Sequence, residues 1–266
     1  MIIDFHTHVF PDEIAGKTVA RLENYAHIKA YADGTLSGLK HSMKENGITY
    51  SVVLPVVTKP SQFDTVNRYA RSINGKDGII SFGGIHPGSE DYKEQLKAIK
   101  EMGFMGIKLH PDYQDTFVDD PKMVRLIQYA SDLGLTVVLH SGMDIGLPEP
   151  VHCSAVRAAN MLDRIHSRSA NIVLAHTGAY NDWDNVENYI AGRNVWIDTA
   201  YSLGWMEDEQ FIRIVKKHGA NRILFASDSP WDSQGGTYEY LKKFNLSDSE
   251  LNQILYQNAK GLLHME

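Results

Sequence analysis

The sequence is poor in cysteine, has no excess of positive charge and contains no long apolar run. Cys153 is the single cysteine among 266 residues, which excludes an internal disulfide and predicts a reducing, cytoplasmic location. Lys and Arg number 26 against 33 Asp and Glu, a net charge of −7. Nucleic acid and anionic membranes select a basic face, so neither is expected as a partner. No stretch approaches the roughly 20 apolar residues that span a bilayer, and the first residues resemble a strand rather than a signal peptide.

What the chain does contain is a series of short apolar runs rich in β-branched residues. Segments with helical spacing separate them, such as the one from Met123 to Ala130 that Gly134 closes. Strands that alternate with helices predict a parallel sheet with helical crossovers. The runs are 2–6, 50–56, 78–85, 104–110, 135–140, 171–176, 194–199 and 222–228.

Eight such units predict an α/β fold, the (β/α)8 or TIM barrel, formed by residues 1–266 as a single domain. A chain of about 250 residues is normal for that fold. The alternative is a doubly wound open sheet. No glycine pattern of a phosphate-binding loop follows any of the runs, which disfavours that alternative.

Polar side chains stand at the ends of these runs, and barrels build their active sites at that end. Alternation along a strand predicts which of them face the barrel axis. The apolar residues of run 104–110 should face the helices, which turns Lys108 and His110 inward. In the first run the same rule places Ile3 and Phe5 outward and the two histidines inward. The polar residues concerned are His6, His8, Lys108, His110, His140, His176 and Asp228.

Converging imidazole and carboxylate groups predict a divalent metal. Both are preferred ligands of zinc and similar ions. A His-x-His pair such as His6 and His8 can fill two positions on one ion, although the pair alone is weak evidence. His140, His176 and Asp228 each end a strand of their own. The combination favours a metal site, because such groups are costly to desolvate without a cation.

Stretches spread in order over nearly the whole chain resemble the amidohydrolase superfamily. The resemblance is to the amidohydrolase-related branch that includes aminocarboxymuconate-semialdehyde decarboxylase, and it implies a metal-dependent barrel without naming the substrate. The stretches are DFHTHVFP (4–11), GIKLHP (106–111), VVLHSG (137–142), IVLAHTGAYNDWDNVE (172–187), VWIDTA (195–200), HGANRILFASDSPW (218–231) and NAKGLL (258–263).

The resemblance implies a role for each residue that matches the family's motifs. His6, His8, His140 and Asp228 would be metal ligands, and Asp228 would also handle the proton. His176 would be a catalytic histidine beside a single ion, or a ligand of a second ion.

The number of ions stays open between two alternatives. One Zn²⁺ is favoured, because the branch resembles single-metal members of the superfamily. Two ions would use His176 together with a carboxylated Lys108. Otherwise Lys108 is expected to bind a substrate carboxylate as a point charge. His110 and Trp231 are expected as further substrate contacts.

Three further residues are interpreted as structural, and the role of one long connection is left open. Cys153 is expected to be a buried packing residue, and Asp4 and Asp198 are expected to form structural hydrogen bonds. The segment from Phe10 to Leu36 is long for a βα connection, where about two to six residues are usual. It should lie over the barrel mouth, either as part of the substrate pocket or as a plain cap.

The leading functional hypothesis is a hydrolase that uses a metal-activated water on a small amide, ester or lactone. The alternative is a lyase, a decarboxylase or hydratase of a small carboxylic acid, built on the same residues. A phosphoesterase with a terminal Asp-x-His pair is disfavoured, because Ser229 and Pro230 follow Asp228. A binding protein without catalysis is disfavoured because every proposed ligand is present. An anionic small molecule is the expected partner, and a homo-oligomer is left open.

Overall fold

The computed structural model describes residues 1–167 and 171–265, and each apolar run of the sequence forms a strand in it. Their β-branched and aromatic residues suit an extended backbone that is covered on both faces. The strands are β1 (Ile3–Thr7), β2 (Tyr50–Val53), β3 (Ile79–Ser81), β4 (Gly83–Gly84), β5 (Gly106–Leu109), β6 (Thr136–Leu139), β7 (Ile172–Leu174), β8 (Trp196–Asp198) and β9 (Ile223–Leu224).

These strands occupy eight barrel positions, because β3 and β4 are two parts of one extended segment interrupted at Phe82. Neighbouring strands pair in parallel in the orders β1-β2-β3 and β4-β5-β6-β7-β8-β9. At the remaining seam the amide of Phe5 donates to the carbonyl of Phe225 at 2.9 Å, and Thr7 forms a parallel bridge with Ser229. These bonds link β9 back to β1. The fold is the predicted single-domain TIM barrel rather than an open sheet.

Helices fill the connections between strands, as the βα alternation predicts. The predicted segment 123–130 lies in α5, where Asp120 caps the first turn and Pro121 occupies the first helical position. No helix within the described ranges is both long and apolar enough to cross a bilayer. The helices are α1 (Asp12–Ala26), α2 (Leu36–Glu45), α3 (Phe63–Ile73), α4 (Tyr92–Glu101), α5 (Pro121–Asp132), α6 (Ala155–Leu162), α7 (Trp183–Asn185), α8 (Asp208–His218), α9 (Gln234–Leu241), α10 (Asp248–Asn252) and α11 (Asn258–Leu262).

Apolar side chains form two clusters, one on each face of the barrel wall. Val137 and Leu139 of β6 pack with helix residues such as Leu126 of α5. Val138, between them, packs in the second cluster with Val173 of β7. The alternation predicted for the middle strands is therefore confirmed, and the second cluster fills the barrel interior below the mouth.

The predicted outward direction of Ile3 and Phe5 is wrong. Both pack in the interior cluster, and the Phe5 ring meets Phe82 edge-on with centroids 5.8 Å apart. The cause is a shift in the pairing register of β1 against β2 between Asp4 and Thr7. Such an irregularity breaks the two-residue alternation, which sequence periodicity alone assumes to be continuous.

Candidate active site

Three of the predicted ligands lie together at the carboxyl ends of β1 and β9. The Nε2 atoms of His6 and His8 are 3.2 Å apart, and Oδ1 of Asp228 lies 3.4 Å from the first and 3.2 Å from the second. We call these three atoms the metal triangle. Donors about 2.0–2.1 Å from a tetrahedral zinc ion would be separated by roughly 3.3–3.4 Å. The metal triangle therefore fits one face of a coordination shell.

The three atoms of the metal triangle are all hydrogen-bond acceptors. Nδ1 of His8 lies 2.9 Å from the carbonyl oxygen of Leu54, and Nδ1 of His6 lies 3.0 Å from Oδ2 of Asp198. Because both oxygens only accept, each ring carries its proton on Nδ1 and points a lone pair from Nε2. The carboxylate of Asp228 adds a third acceptor. Three lone pairs directed at one point repel one another unless a cation lies between them, so the residues fit a divalent metal.

The backbone is strained at two residues of the site, His176 and Asp228. His176 has a φ of 61° and Asp228 has a φ of 72°, both in the left-handed region that non-glycine residues seldom adopt. The amide of Asp228 donates to the carbonyl of His6 at 2.9 Å, which holds the turn against β1. Such conformations persist when the surrounding structure enforces them, and they cluster at functional sites.

His140, the fourth predicted ligand, lies outside the metal triangle. Its Nδ1 is 2.9 Å from Nε2 of His176, whose own Nδ1 faces the carbonyl of Ala200 at 2.9 Å. The His176 ring lies beside the triangle, with its centroid 5.4 Å from that of His6. The structure thus brings three of the four predicted ligands together and sets the fourth against His176. The four-ligand set remains a prediction.

Lys108 lies between these groups. Its side chain is 1% exposed, and Nζ lies 3.0 Å from Nε2 of His6. Burial lowers the pKa of Lys108, and the carboxylates of Asp228 and Asp198 oppose that change. A buried lysine next to a metal ligand is available either as a cation for an acidic substrate or, when carboxylated, as an anionic ligand.

Burial also controls the protonation of the histidines. It lowers the pKa of His6, His140 and His176, and the charge of Lys108 lowers each pKa further. The rings are therefore neutral near pH 7, the state in which imidazole can donate a lone pair to a metal.

His110 pairs with a carboxylate that the sequence did not single out. Its Nε2 is 3.4 Å from Oδ2 of Asp144, and its ring stacks between those of Tyr113 and His140 at centroid distances of 4.0 and 4.1 Å. His110, His140 and Asp144 also bring possible metal donors within 4.8 Å of one another. The two rings are only 7° from parallel, so they cannot both aim in-plane lone pairs at one ion. This group fits a metal less well than the metal triangle does.

A pocket opens above these residues, with Asp228, His140 and His176 among its lining side chains. Leu22 of α1 forms part of the wall, so the segment from Phe10 to Leu36 does cover the mouth and contributes to the pocket. Trp231, expected as a substrate contact, lies in the wall. His110 would act through its contacts with three wall residues, Tyr113, His140 and Asp144. The aromatic lining consists of Tyr25, Tyr113, Tyr180, Tyr201 and Trp231.

The structural interpretations of Cys153, Asp4 and Asp198 are confirmed, the last by the hydrogen bonds of the Asp198 carboxylate. Cys153 is fully buried, and burial raises the pKa of its thiol to about 12, which makes it unreactive. Asp4 accepts hydrogen bonds from the amide and hydroxyl of Ser227 at 2.9 and 2.6 Å and from Nε2 of Gln234 at 2.8 Å. It ties β1 to the segment after β9, below the mouth.

Sequence reasoning missed two residues of the site and gave a third, Asp198, only a structural role. Asp198 ends an apolar run just as the recognised residues do, and that signal could have assigned it to the site. Tyr113 and Asp144 follow β5 and β6 in loops, where no periodicity indicates which side chains turn toward the axis. Only the folded loops place them at the pocket.

Comparisons with known proteins concern the family and the fold. A family model described as amidohydrolase matches residues 3–265. No relative was found among curated protein sequences.

Solved structures share the fold at low sequence identity. The 5-carboxyvanillate decarboxylase of Sphingomonas paucimobilis has a TM-score of 0.71 at 14% identity, over 100% of this chain and 99% of its own. A dihydroxybenzoic acid decarboxylase from Polaromonas sp. JS666, with bound manganese and the inhibitor 2-nitroresorcinol, has a TM-score of 0.72 at 14% identity, over 99% and 96%. A proposed 2-pyrone-4,6-dicarboxylic acid hydrolase from Pseudomonas putida has a TM-score of 0.69 at 20% identity, over 100% and 98%.

Proposed function

The chain belongs to the amidohydrolase family, and from this premise we propose that it is a divalent-metal-dependent decarboxylase of a small, planar carboxylic acid. The metal triangle carries the metal-dependent part of the proposal, because three acceptor atoms 3.2 to 3.4 Å apart match the spacing of ligands around one ion. His6, His8 and Asp228 would hold the ion, with His140 as the fourth ligand by family resemblance. Zn²⁺ suits the ligands, and the manganese bound in the Polaromonas decarboxylase makes Mn²⁺ the second candidate.

Whether one ion binds or two depends on Lys108. The single-ion alternative leaves Lys108 as a buried cation for the substrate carboxylate. The two-ion alternative needs a carboxylated Lys108, and the facing nitrogens of His140 and His176, 2.9 Å apart, supply further donors for it. A bound divalent ion would act as a Lewis acid that neutralises developing negative charge on the substrate.

Asp228 is the residue proposed to move the proton. Its carboxylate lines the pocket and is held toward the axis by the left-handed turn after β9. In a decarboxylation it would first take a proton from a substrate hydroxyl or from water and then deliver it to the carbon that loses CO₂, and the electrons of the broken C–C bond would return to the substrate's π system. His176, whose Nδ1 is held by the Ala200 carbonyl, keeps a lone pair on Nε2 and would accept a hydrogen bond there from a substrate hydroxyl.

The pocket wall supports a planar substrate. Tyr113, Tyr180, Tyr201 and Trp231 present ring faces and edges that pack well against an unsaturated or aromatic acid. The Sphingomonas and Polaromonas structures are both decarboxylases of such acids by name. Lys108, buried next to His6, would supply the positive charge that an acid requires.

Hydrolysis of a lactone or related ester is the second candidate. The Pseudomonas structure, a proposed pyrone dicarboxylic acid hydrolase, supports it. Here Asp228 would take a proton from the attacking water and return it to the leaving group. The same pocket and the same metal ligands would serve, so geometry alone favours neither reaction.

One assay separates the two candidates. Protein loaded with Zn²⁺ or Mn²⁺ is incubated with a panel of hydroxybenzoic acids and a panel of lactones and esters. CO₂ release from a member of the first panel is expected, without consumption of the second panel. Acid formation from lactones without CO₂ release would replace the decarboxylase by the hydrolase. Inactivity of metal-loaded protein on both panels would remove the proposed substrate classes.

A further inference from the structure

We propose that Asp198 is the positioning residue of the metal site, fixing the proton of His6 on Nδ1 and tying that ring to the backbone of His176. The metal part of this inference rests on the proposed function, whereas the hydrogen bonds stand without it. Asp198 ends β8 and is fully buried. It would touch neither metal nor substrate and would act through the residues it holds.

Each carboxylate oxygen of Asp198 has its own partners. Oδ2 lies 3.0 Å from Nδ1 of His6. Oδ1 accepts the backbone N–H of His176 at 2.9 Å and that of Ala200 at 3.1 Å. One buried side chain therefore connects β1, β8 and the end of β7.

The bond to His6 determines which nitrogen faces the metal triangle. An ionised carboxylate oxygen can only accept, so while Asp198 is ionised the His6 proton stays on Nδ1 and Nε2 keeps its lone pair. Nε2 is the atom that lies 3.2 Å from its counterpart in His8 and 3.4 Å from Asp228. A carboxylate behind a ligating histidine fixes both the tautomer and the orientation of its ring.

The second bond of Asp198 holds the backbone of His176 in place. His176 sits in a left-handed conformation with a φ of 61°, and the Asp198 carboxylate receives its amide. The carbonyl of Ala200 faces Nδ1 of the same histidine at 2.9 Å. Residues 198–200 thus hold both the backbone and the ring of His176, and a shift of this segment would move His176 relative to His6.

Asp198→Asn is the diagnostic change because it alters one hydrogen bond selectively. The amide oxygen must take the Oδ1 position, where two backbone N–H groups need an acceptor. The NH₂ group then faces Nδ1 of His6 and can only donate. His6 would have to move its proton to Nε2, the nitrogen required by the metal. The side chain keeps its size, so a loss of packing is not expected.

Two measurements test the proposal. Long-range ¹H–¹⁵N spectra of metal-free protein labelled at histidine report the tautomer of each ring, with His6 assigned by its absence in His6→Gln. Titration calorimetry with Zn²⁺ and with Mn²⁺ reports affinity. Asp4→Asn is the matched control, since Asp4 is an equally buried carboxylate that bonds the backbone amide of His6, at 3.3 Å, but no histidine ring.

Wild-type His6 is expected as the Nδ1–H tautomer, and Asp198→Asn is expected to convert it to Nε2–H and weaken metal binding by about 10- to 100-fold. Asp4→Asn should lower stability while leaving the His6 signals and the metal affinity unchanged. A wild-type His6 found as Nε2–H overturns the proposal even if the variant fails to fold. Unchanged metal affinity in a folded Asp198→Asn variant also overturns it. Wild-type protein that shows the Nδ1–H tautomer but binds neither metal contradicts the proposed function instead.

Discussion

Nζ of Lys108 lies 3.0 Å from Nε2 of His6, so the buried ammonium group and the proposed metal compete for the same ligand atom. Two like charges this close in a buried site repel strongly. A bound ion must therefore displace Lys108 toward the substrate, or Lys108 must be carboxylated and become a ligand itself. The two arrangements differ in the number of ions per chain.

We expect Lys108→Met to reveal which arrangement holds. If Lys108 binds the substrate carboxylate, KM for an acidic substrate should rise by about tenfold or more, since a hydrogen bond to a charged group is worth about 1.5–3 kcal/mol. If it is carboxylated, protein prepared with bicarbonate should lose one ion per chain by elemental analysis. A variant with unchanged kinetics and unchanged metal content would show that Lys108 is only structural.

Asp228→Asn should lower kcat by at least about a hundredfold while the protein stays folded. The fold should be kept because asparagine tolerates the left-handed φ of 72° at this position. Asp228 is not the cap of the helix that follows, because the Ser233 side chain caps α9 by accepting the amide of Gly236. Melting curves and steady-state rates check both parts. Asp232→Asn is the control for loss of a nearby carboxylate, and full activity of Asp228→Asn would remove Asp228 from the mechanism.

Metal removal should destabilise the protein as well as inactivate it. Zn²⁺ at a hundredfold excess over its Kd should add about 2.7 kcal/mol to the free energy of unfolding of chelator-treated protein. For a chain of this size that corresponds to a rise in Tm of about 5–10 °C. His6→Ala should abolish the rise, whereas His41→Ala, which changes an exposed histidine, should keep it. A wild-type Tm that does not respond to Zn²⁺ or Mn²⁺ would argue against the metal triangle as a metal site.

His218 should make the protein sensitive to acid. It is 1% exposed, and burial together with the charge of Arg222 lowers its pKa from the usual 6.5 to about 4. Because folding favours the neutral ring, its stabilising contribution is complete above pH 6.5 and is lost as the pH falls toward 4. The loss is about 3 kcal/mol at most.

Urea unfolding between pH 4 and 7.5 tests this expectation through His218→Asn. The asparagine oxygen can replace Nδ1, which accepts the amide of Gly192 at 3.2 Å. The variant should be less stable at pH 7.5, because it leaves a cavity, but its stability should fall less steeply below pH 6.5. His41→Asn should keep the wild-type slope. Parallel pH curves for wild type and His218→Asn would show that His218 does not titrate on unfolding in this range.

The order of strands and the main candidate residues could be predicted from the sequence because both depend on local patterns. Short β-branched runs such as 135–140 and 171–176 favour extended backbone, and parallel strands place their carboxyl ends on one face. Any polar residue ending such a run is thereby assigned to the mouth of the barrel. The pattern therefore identifies His140, His176 and Asp228 as residues of the mouth before any distance between them is known.

What the tertiary structure decided is how those residues face one another. The register shift in β1 breaks the alternation between Phe5, which faces the barrel interior, and the histidines that follow it. The pairing of His140 with His176, and of Asp198 with His6, joins residues from strands far apart in sequence. Side-chain rotation and hydrogen-bond partners depend on every neighbour that packs around them, so no periodicity along the chain encodes them. Sequence alone therefore determined which strand-end groups reach the mouth of the barrel, and packing determined which of their atoms lie in the metal triangle.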